Sequence, residues 1–157
     1  MYGSINTISQ TIQANSGGQL LELKAARLFM LERRRARIHC LLAKITGRSM
    51  RMLDLNEVRQ RNDERSRSYL GSRAVAIDRI RGSENRCDDF DSNLRPLSEH
   101  NRQRWLNIAV ARLSGTTLPP VELIHVGGFY FVRDGHHRIS VARALGERYV
   151  DAVVLGG

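Results

Sequence analysis

Tyr130-Phe131-Val132-Arg133-Asp134-Gly135-His136-His137-Arg138-Ile139 is the stretch that decides the fold of this chain. Its first three residues are aromatic or β-branched, the profile of a buried strand. Gly135 marks a sharp backbone turn and a place where a ligand can approach the main chain closely. From Ile139 to Leu145 the residues read as a helix, which Gly146 stops. A strand that runs straight into a helix gathers the first helical amides at one point, and these have no partner inside the helix. They carry the positive end of the helix dipole and favour an anion. His136, His137 and Arg138 add donors at the same place, and Arg pairs with a phosphate through two parallel hydrogen bonds. Asp134 can orient a His, contact a ribose hydroxyl or hold a metal ion.

The surrounding sequence supplies an α/β pattern. Val121–Val126 and Phe129–Val132 are apolar strands joined by Gly127-Gly128, a hairpin signal. Pro119-Pro120 force an extended approach to the first of them. Ala74–Ile77 reads as an earlier strand and Tyr149–Val154 as the last one. Ser98 is a candidate cap for a helix running to about Leu113, with Leu106, Ala109, Val110 and Leu113 as its apolar face and Gly115 as its end. Between these lies GSENRCDDFDSNLRP (residues 82–96), a loop rich in Asp, Asn and Ser.

Towards the N-terminus, residues 19–46 read as one long helix. Leu21, Leu28, Leu31, Ile38, Leu42 and Ile45 make an apolar stripe, expected to be core or a dimer seam, and Arg35 interrupts it. Arg33, Arg37, Lys44 and Arg48 cluster on a different side, and Gly47 is a plausible stop. A shorter, very polar helix is expected from Asp54, with Glu57 completing a capping box, towards Arg67. Residues 19–70 carry 13 basic and 6 acidic residues, a net +7, so most of the excess charge sits in this segment. Residues 1–18 are uncharged and rich in Ser, Asn, Gln and Thr, the composition of a mobile tail. The expected organisation is a tail (1–18), a basic helical arm (19–70) and an α/β domain (71–157).

Hydrophobic residues make up 41% of the 157, enough for a packed core, and the net charge of +9 favours acidic partners. All basic residues but Lys24 and Lys44 are Arg, a bias that GC-rich codon usage explains as well as phosphate binding does. Cys40 and Cys87 lie far apart and form neither a metal pair nor a disulfide framework, which fits a reduced, cytoplasmic setting. Neither a signal-peptide pattern nor an apolar run of membrane-spanning length stands out, so no membrane contact is expected.

Three motifs in order carry a family resemblance. Ile80-Arg81-Gly82-Ser83-Glu84-Asn85-Arg86 precedes Asp89-Phe90-Asp91; Leu118-Pro119-Pro120-Val121-Glu122-Leu123 leads into a strand; Gly135-His136-His137-Arg138 is followed by Ala142. From Ala74 to Val154, about half the chain, this resembles the ParB/sulfiredoxin superfamily. The resemblance implies a small mixed sheet flanked by helices. It also implies a nucleotide phosphate held at the turn, as CTP is in ParB proteins, ATP in sulfiredoxins and a nucleotide donor in free-serine kinases. The implied cofactor is thus a nucleotide (CTP or ATP/ADP), with Mg²⁺ as companion ion, held by Ser83, Arg86, Gly135, His136, His137 and Arg138. His136 stands where sulfiredoxin has its Cys, so the sulfiredoxin reaction is not expected. ParB proteins continue into a helix-turn-helix domain where this sequence stops, so ParB-type reading of a centromere site is not expected either.

The expected function is a bacterial-type, ParB-like nucleotide- or phosphate-binding module, regulatory or DNA-associated, with DNA contacted through Arg33, Arg37, Lys44 and Arg48. One alternative is a small-molecule (free amino acid-type) kinase or nucleotide hydrolase. In it Asp134 and His136 are the candidate catalytic residues, with Asp134 or a carboxylate among Asp88, Asp89 and Asp91 as base. A further alternative is an interaction protein that forms a homodimer through the first helix. Plainer readings stand beside these: Asp134 as a helix cap, the 86–91 loop as solvated Asx turns, and the basic helix face as a solvated surface.

Overall fold

The structure, a computed structural model, describes the backbone of residues 4–47, 49–61 and 68–156, and the side chains of residues 17–47, 49–59 and 68–156. A six-stranded mixed sheet forms its centre. The strands are β1 (Leu53–Asp54), β2 (Ser68–Ala76), β3 (Ile80–Ser83), β4 (Val121–Val126), β5 (Phe129–Asp134) and β6 (Tyr149–Gly156), in the order β1-β3-β5-β4-β6-β2. The helices are α1 (Ser4–Thr46), α2 (Leu55–Arg61), α3 (Arg102–Leu113) and α4 (His136–Ala144). β3 runs parallel to β1 and β5, and β4 runs parallel to β6; the β4–β5 and β2–β6 pairs are antiparallel. The α/β class expected from sequence is the one observed.

Alternation along the central strands divides the core. Val121, Leu123, Tyr130, Val132, Ala152 and Val154 face one side, where Ile139 and Ala142 of α4 cover them. Ile124, Val126 and Phe131 point to the other side, against Leu55 and Val58 of α2. Side chains two apart on a strand share a face, so one pattern builds both layers. A third cluster joins Ala25 and Phe29 of α1 to Trp105 and Ala109 of α3 and Val141 of α4.

The β4–β5 hairpin turns through Gly127 (φ +56°) and Gly128 (φ +83°), with Val126 opposite Phe129, as a two-residue turn with two left-handed positions requires. Asp54 caps α2: its carboxylate accepts the amide of Asn56 at 2.9 Å. Gly47 closes α1 in the left-handed region (φ +66°).

Several boundaries differ from expectation. α1 begins at Ser4, so residues 4–18, expected as a tail, carry helical backbone; the run holds no Pro, and composition alone does not exclude a helix that a packed segment extends. β1 and the start of β2 fall inside the segment assigned to the basic arm, and both belong to the sheet. β3 occupies Ile80–Ser83, where a loop was expected from residue 82. α3 starts at Arg102 with Asn101 before it, while Ser98 turns its hydroxyl to His100 Nδ1 at 2.6 Å.

The face of α1 also differs. Among the described residues, Ala25, Phe29, Ala36 and Ala43 are its buried apolar residues, with Leu21 and Leu28 half-buried, whereas Leu31, Ile38, Leu42 and Ile45 of the expected stripe point outwards. Small residues let α1 approach α3 closely enough for Phe29 to meet the Trp105 ring at 5.4 Å. Close approach, not hydrophobicity, selects the inner face. Among the described residues no helix is long and apolar enough to cross a membrane.

Candidate functional site

β5, an interior strand, ends at Asp134, and Gly135 reverses the chain into α4. Gly135 has φ +98°, a region that L side chains rarely adopt. A Cβ there would lie 2.5 Å from Val121 Cγ1. The turn therefore needs glycine twice over, for backbone angle and for space. Its carbonyl accepts the Ile139 amide at 3.0 Å, closing the first turn of α4.

Beside this turn lies a polar cavity of about 290 Å³, lined by Arg133, Asp134, Gly135, His136, His137 and Arg138 of the turn, Asn85 and Arg86 of the loop after β3, and Arg104 and Ile108 of α3. Larger grooves flank α1, but neither touches the turn. Of the residues expected at the site, Arg86, Asp134, Gly135, His136, His137 and Arg138 line this one cavity. Ser83 sits just behind it: its hydroxyl lies 2.7 Å from His136 Nε2 and accepts the amides of Asn85 and Arg86 at 3.2 and 3.0 Å. Ser83 thus holds both the imidazole and the start of the Arg86 loop.

The two histidines are buried, 5% and 4% exposed. Phe90, itself fully buried, stacks on His136 at 5.9 Å and meets His137 edge-on at 5.2 Å. Burial holds both imidazoles neutral, with pKa values lowered to about 4; Arg86 adds to this for His136, and Arg104 then Arg86 for His137. His136 has its Nε2 satisfied by Ser83. His137 Nε2 is buried and, among the described residues, has no hydrogen-bond partner. A buried polar atom left unpaired costs on the order of 1–3 kcal/mol, and this one belongs to a residue that lines a cavity rimmed with guanidinium groups.

Arg138 takes a different part from the one expected. Its Nη1 donates to the carbonyls of Pro119 and Pro120 at 2.7 and 2.8 Å, and its Nη2 to Asp134 Oδ2 at 2.5 Å. It braces the turn against the Pro119-Pro120 segment and ion-pairs with Asp134. Arg133 lies 3.7 Å from Glu122 and 3.9 Å from Glu84. Arg86 is 3.4 Å from Asp89. Among the described residues no carboxylate pairs with Arg104. Arg104, Arg133 and Asn85 were not expected from sequence. Arg104 reaches the turn only because α3 packs across α4, a fact that no local motif encodes.

The carboxylates of the acidic loop have partners in and around the loop. Asp91 is fully buried, and Oδ1 accepts the amides of Asn93 and Arg95 at 2.9 Å each, while Oδ2 lies 3.1 Å from His39 of α1. Its carboxylate is committed to the loop that carries Phe90. Asp88 is exposed beside Arg51 at 3.3 Å. Cys87 is buried, and its thiol pKa is raised by burial first and Asp54 second, the setting of an inert thiol. Among the described residues no group of three His, Cys, Asp or Glu side chains is placed to hold a metal ion.

On α1, Arg33 is ion-paired with Glu99 and lies over the Phe29 ring at 5.9 Å, so it is not turned to solvent as a nucleic-acid contact would be. Arg37 and Lys44 are exposed, and Arg48 lies outside the described residues.

No family model matches this chain. No curated protein matches it by sequence. Among solved structures it is similar to sulfiredoxin from Arabidopsis thaliana, with 19% identity and a TM-score of 0.39 over 55% of this chain and 85% of that one. It is also similar to a conserved hypothetical protein from Pyrococcus furiosus, with 22% identity and a TM-score of 0.39 over 57% of this chain, which spans about a third (34%) of that protein's length.

Proposed function

We propose that this protein is a nucleotide- or phosphate-binding module with a regulatory role, holding the phosphate end of its ligand in the cavity at the Gly135 turn. The observation that carries this reading is His137 Nε2, buried without a partner at a cavity where Arg86, Arg104 and Arg133 converge. An anion there meets the unpaired amides of α4, three guanidiniums and an imidazole ready to donate. The cavity is about 290 Å³, at the small end of ligand sites, which suits a phosphate chain with sugar and base lying outside. Asn85 and the exposed Asp134 edge are the nearest groups for a ribose. Mg²⁺, if it accompanies the ligand, is held through phosphate oxygens and water in this reading, since such ions commonly keep several waters.

Binding is favoured over catalysis because Asp134, the candidate base, is tied to Arg138, and His136 is tied to Ser83. A thermal-shift series with CTP, ATP, ADP and pyrophosphate, with and without Mg²⁺, tests the proposal. At a hundredfold excess over Kd a ligand of the native state adds about 2.7 kcal/mol, or about 5–10 °C for a chain of this size. The shift is expected with at least one of these polyphosphates and is expected to fall sharply in Arg104→Ala. No shift with any of them overturns the proposal.

A further inference from the structure

The side of α1 that faces away from the body is a surface with its own chemistry. Phe29, Ala36 and Ala43 anchor the helix inwards, and ion pairs from Arg33 to Glu99 and from Glu32 to Arg95 fix its orientation. Opposite them, Leu20, Leu31, Ile38, Leu41 and Ile45 are between 43% and 74% exposed. They fall on two heptad lines, Leu31-Ile38-Ile45 and Leu20-Arg27-Arg34-Leu41, the spacing of a coiled-coil seam. At 1.5 Å per residue the seam runs about 38 Å. Its basic residues are Lys24, Arg27, Arg34, Arg37 and Lys44, Arg35 being turned to Glu32, and the two acidic residues of this stretch lie elsewhere: Glu32 is buried inwards and Glu22 lines the groove between α1 and α3.

We propose that this outward face docks an acidic amphipathic helix of a partner protein, which lays apolar side chains on Leu31, Ile38 and Ile45 and sets carboxylates against Arg27 and Arg34. Charge decides the occupant. A second copy of α1 in parallel register would set Arg27 on Arg27 and Arg34 on Arg34; in antiparallel register it would bury both against Leu or Ile. Either way the seam offers no carboxylate, so the guanidiniums meet like charges in the first case and apolar side chains in the second. A bilayer is disfavoured because Arg27 and Arg34 occupy the middle of the apolar face, the part that would sit deepest. Nucleic acid would use the charges but leave the three β-branched or Leu knobs of the first heptad line without apolar partners.

The test uses the full chain and two synthetic helices of about four heptads with Leu at the seam, one carrying Glu and the other Lys at the positions opposite Arg27 and Arg34. Fluorescence anisotropy is expected to show the Glu helix binding at least about tenfold tighter than the Lys helix. Arg27→Glu/Arg34→Glu is expected to reverse that order, and Ile38→Ser/Leu41→Ser to weaken the Glu helix by at least about tenfold; circular dichroism checks that both variants keep their helix content. Equal binding of the two helices overturns the proposal. So do a homodimer in sedimentation equilibrium that Ile38→Ser/Leu41→Ser dissociates, and tighter binding to phosphatidylserine vesicles or random duplex DNA than to the Glu helix.

Discussion

Gly135→Ala is the most revealing single change at the turn. Its cost has two parts. A left-handed backbone (φ +98°) penalises an L side chain by about 1–2 kcal/mol. The new methyl also meets Val121 Cγ1 at 2.5 Å and Val121 Cβ at 2.9 Å, and overpacking of this kind costs about 1–3 kcal/mol. The sum, about 2–5 kcal/mol, is a large share of the stability of an ordinary domain. The two parts separate in a double-mutant cycle. Val121→Ala removes the Cγ1 methyl, the nearer of the two contacts, at a cost of its own, and leaves its Cβ in place. In its background Gly135→Ala should cost the backbone part and the smaller strain against the remaining Cβ. A coupling of about 1–2 kcal/mol between the two sites is therefore expected. Urea unfolding followed by circular dichroism measures all four proteins. If Gly135→Ala stays within about 0.5 kcal/mol of wild type, or if the two changes simply add, the turn is not built as described.

Other consequences follow from the same geometry. His137→Leu removes an unpaired buried nitrogen, so it should leave unfolding free energy unchanged or raise it by about 1 kcal/mol while weakening pyrophosphate binding at least tenfold by calorimetry. Asp91→Ala strips the carboxylate that joins His39 to the Phe90 loop, and should lower stability by about 3–5 kcal/mol in urea titrations. Both buried histidines have pKa values lowered to about 4 against about 6.5 in the unfolded chain. The unfolded state binds the extra protons, so stability should fall as pH drops from 6.5 towards 4, by about 1.4 kcal/mol per pH unit for each imidazole. Unfolding at several pH values should show a shallower slope for His137→Leu than for wild type.

Much of the site was legible because its parts are local. Gly135 between a strand and a helix, followed by two histidines, announces a turn that gathers donors, and Gly127-Gly128 announces the hairpin that precedes it. Ser83 and Arg86 were legible only as part of a longer motif, since β3 is four residues long and its Gly82 breaks any apolar alternation. The structure explains that glycine: a Cβ would strike the Leu53 carbonyl of β1 and the Phe131 ring of β5. Arg104 gave no signal, because its place at the turn depends on how α3 crosses α4. Arg138 was assigned to the ligand from its residue type, yet the carbonyls of Pro119 and Pro120 claim it. On α1, counting large apolar residues chose the outer face, whereas the fold buries the alanine side, where a helix can come close.

The central claim is that the cavity beside Gly135 holds a phosphate group against His137. Long-range ¹H–¹⁵N spectra of the five imidazoles, recorded while pyrophosphate or CTP is added, test it most directly. The His137 ring, and to a lesser degree His136, should shift and saturate together, with a signature of a newly hydrogen-bonded Nε2, while His125 stays in place. If the His137 ring does not move at saturating concentrations of either polyphosphate, or if it moves no more than His125, the site does not bind phosphate in the way its geometry suggests.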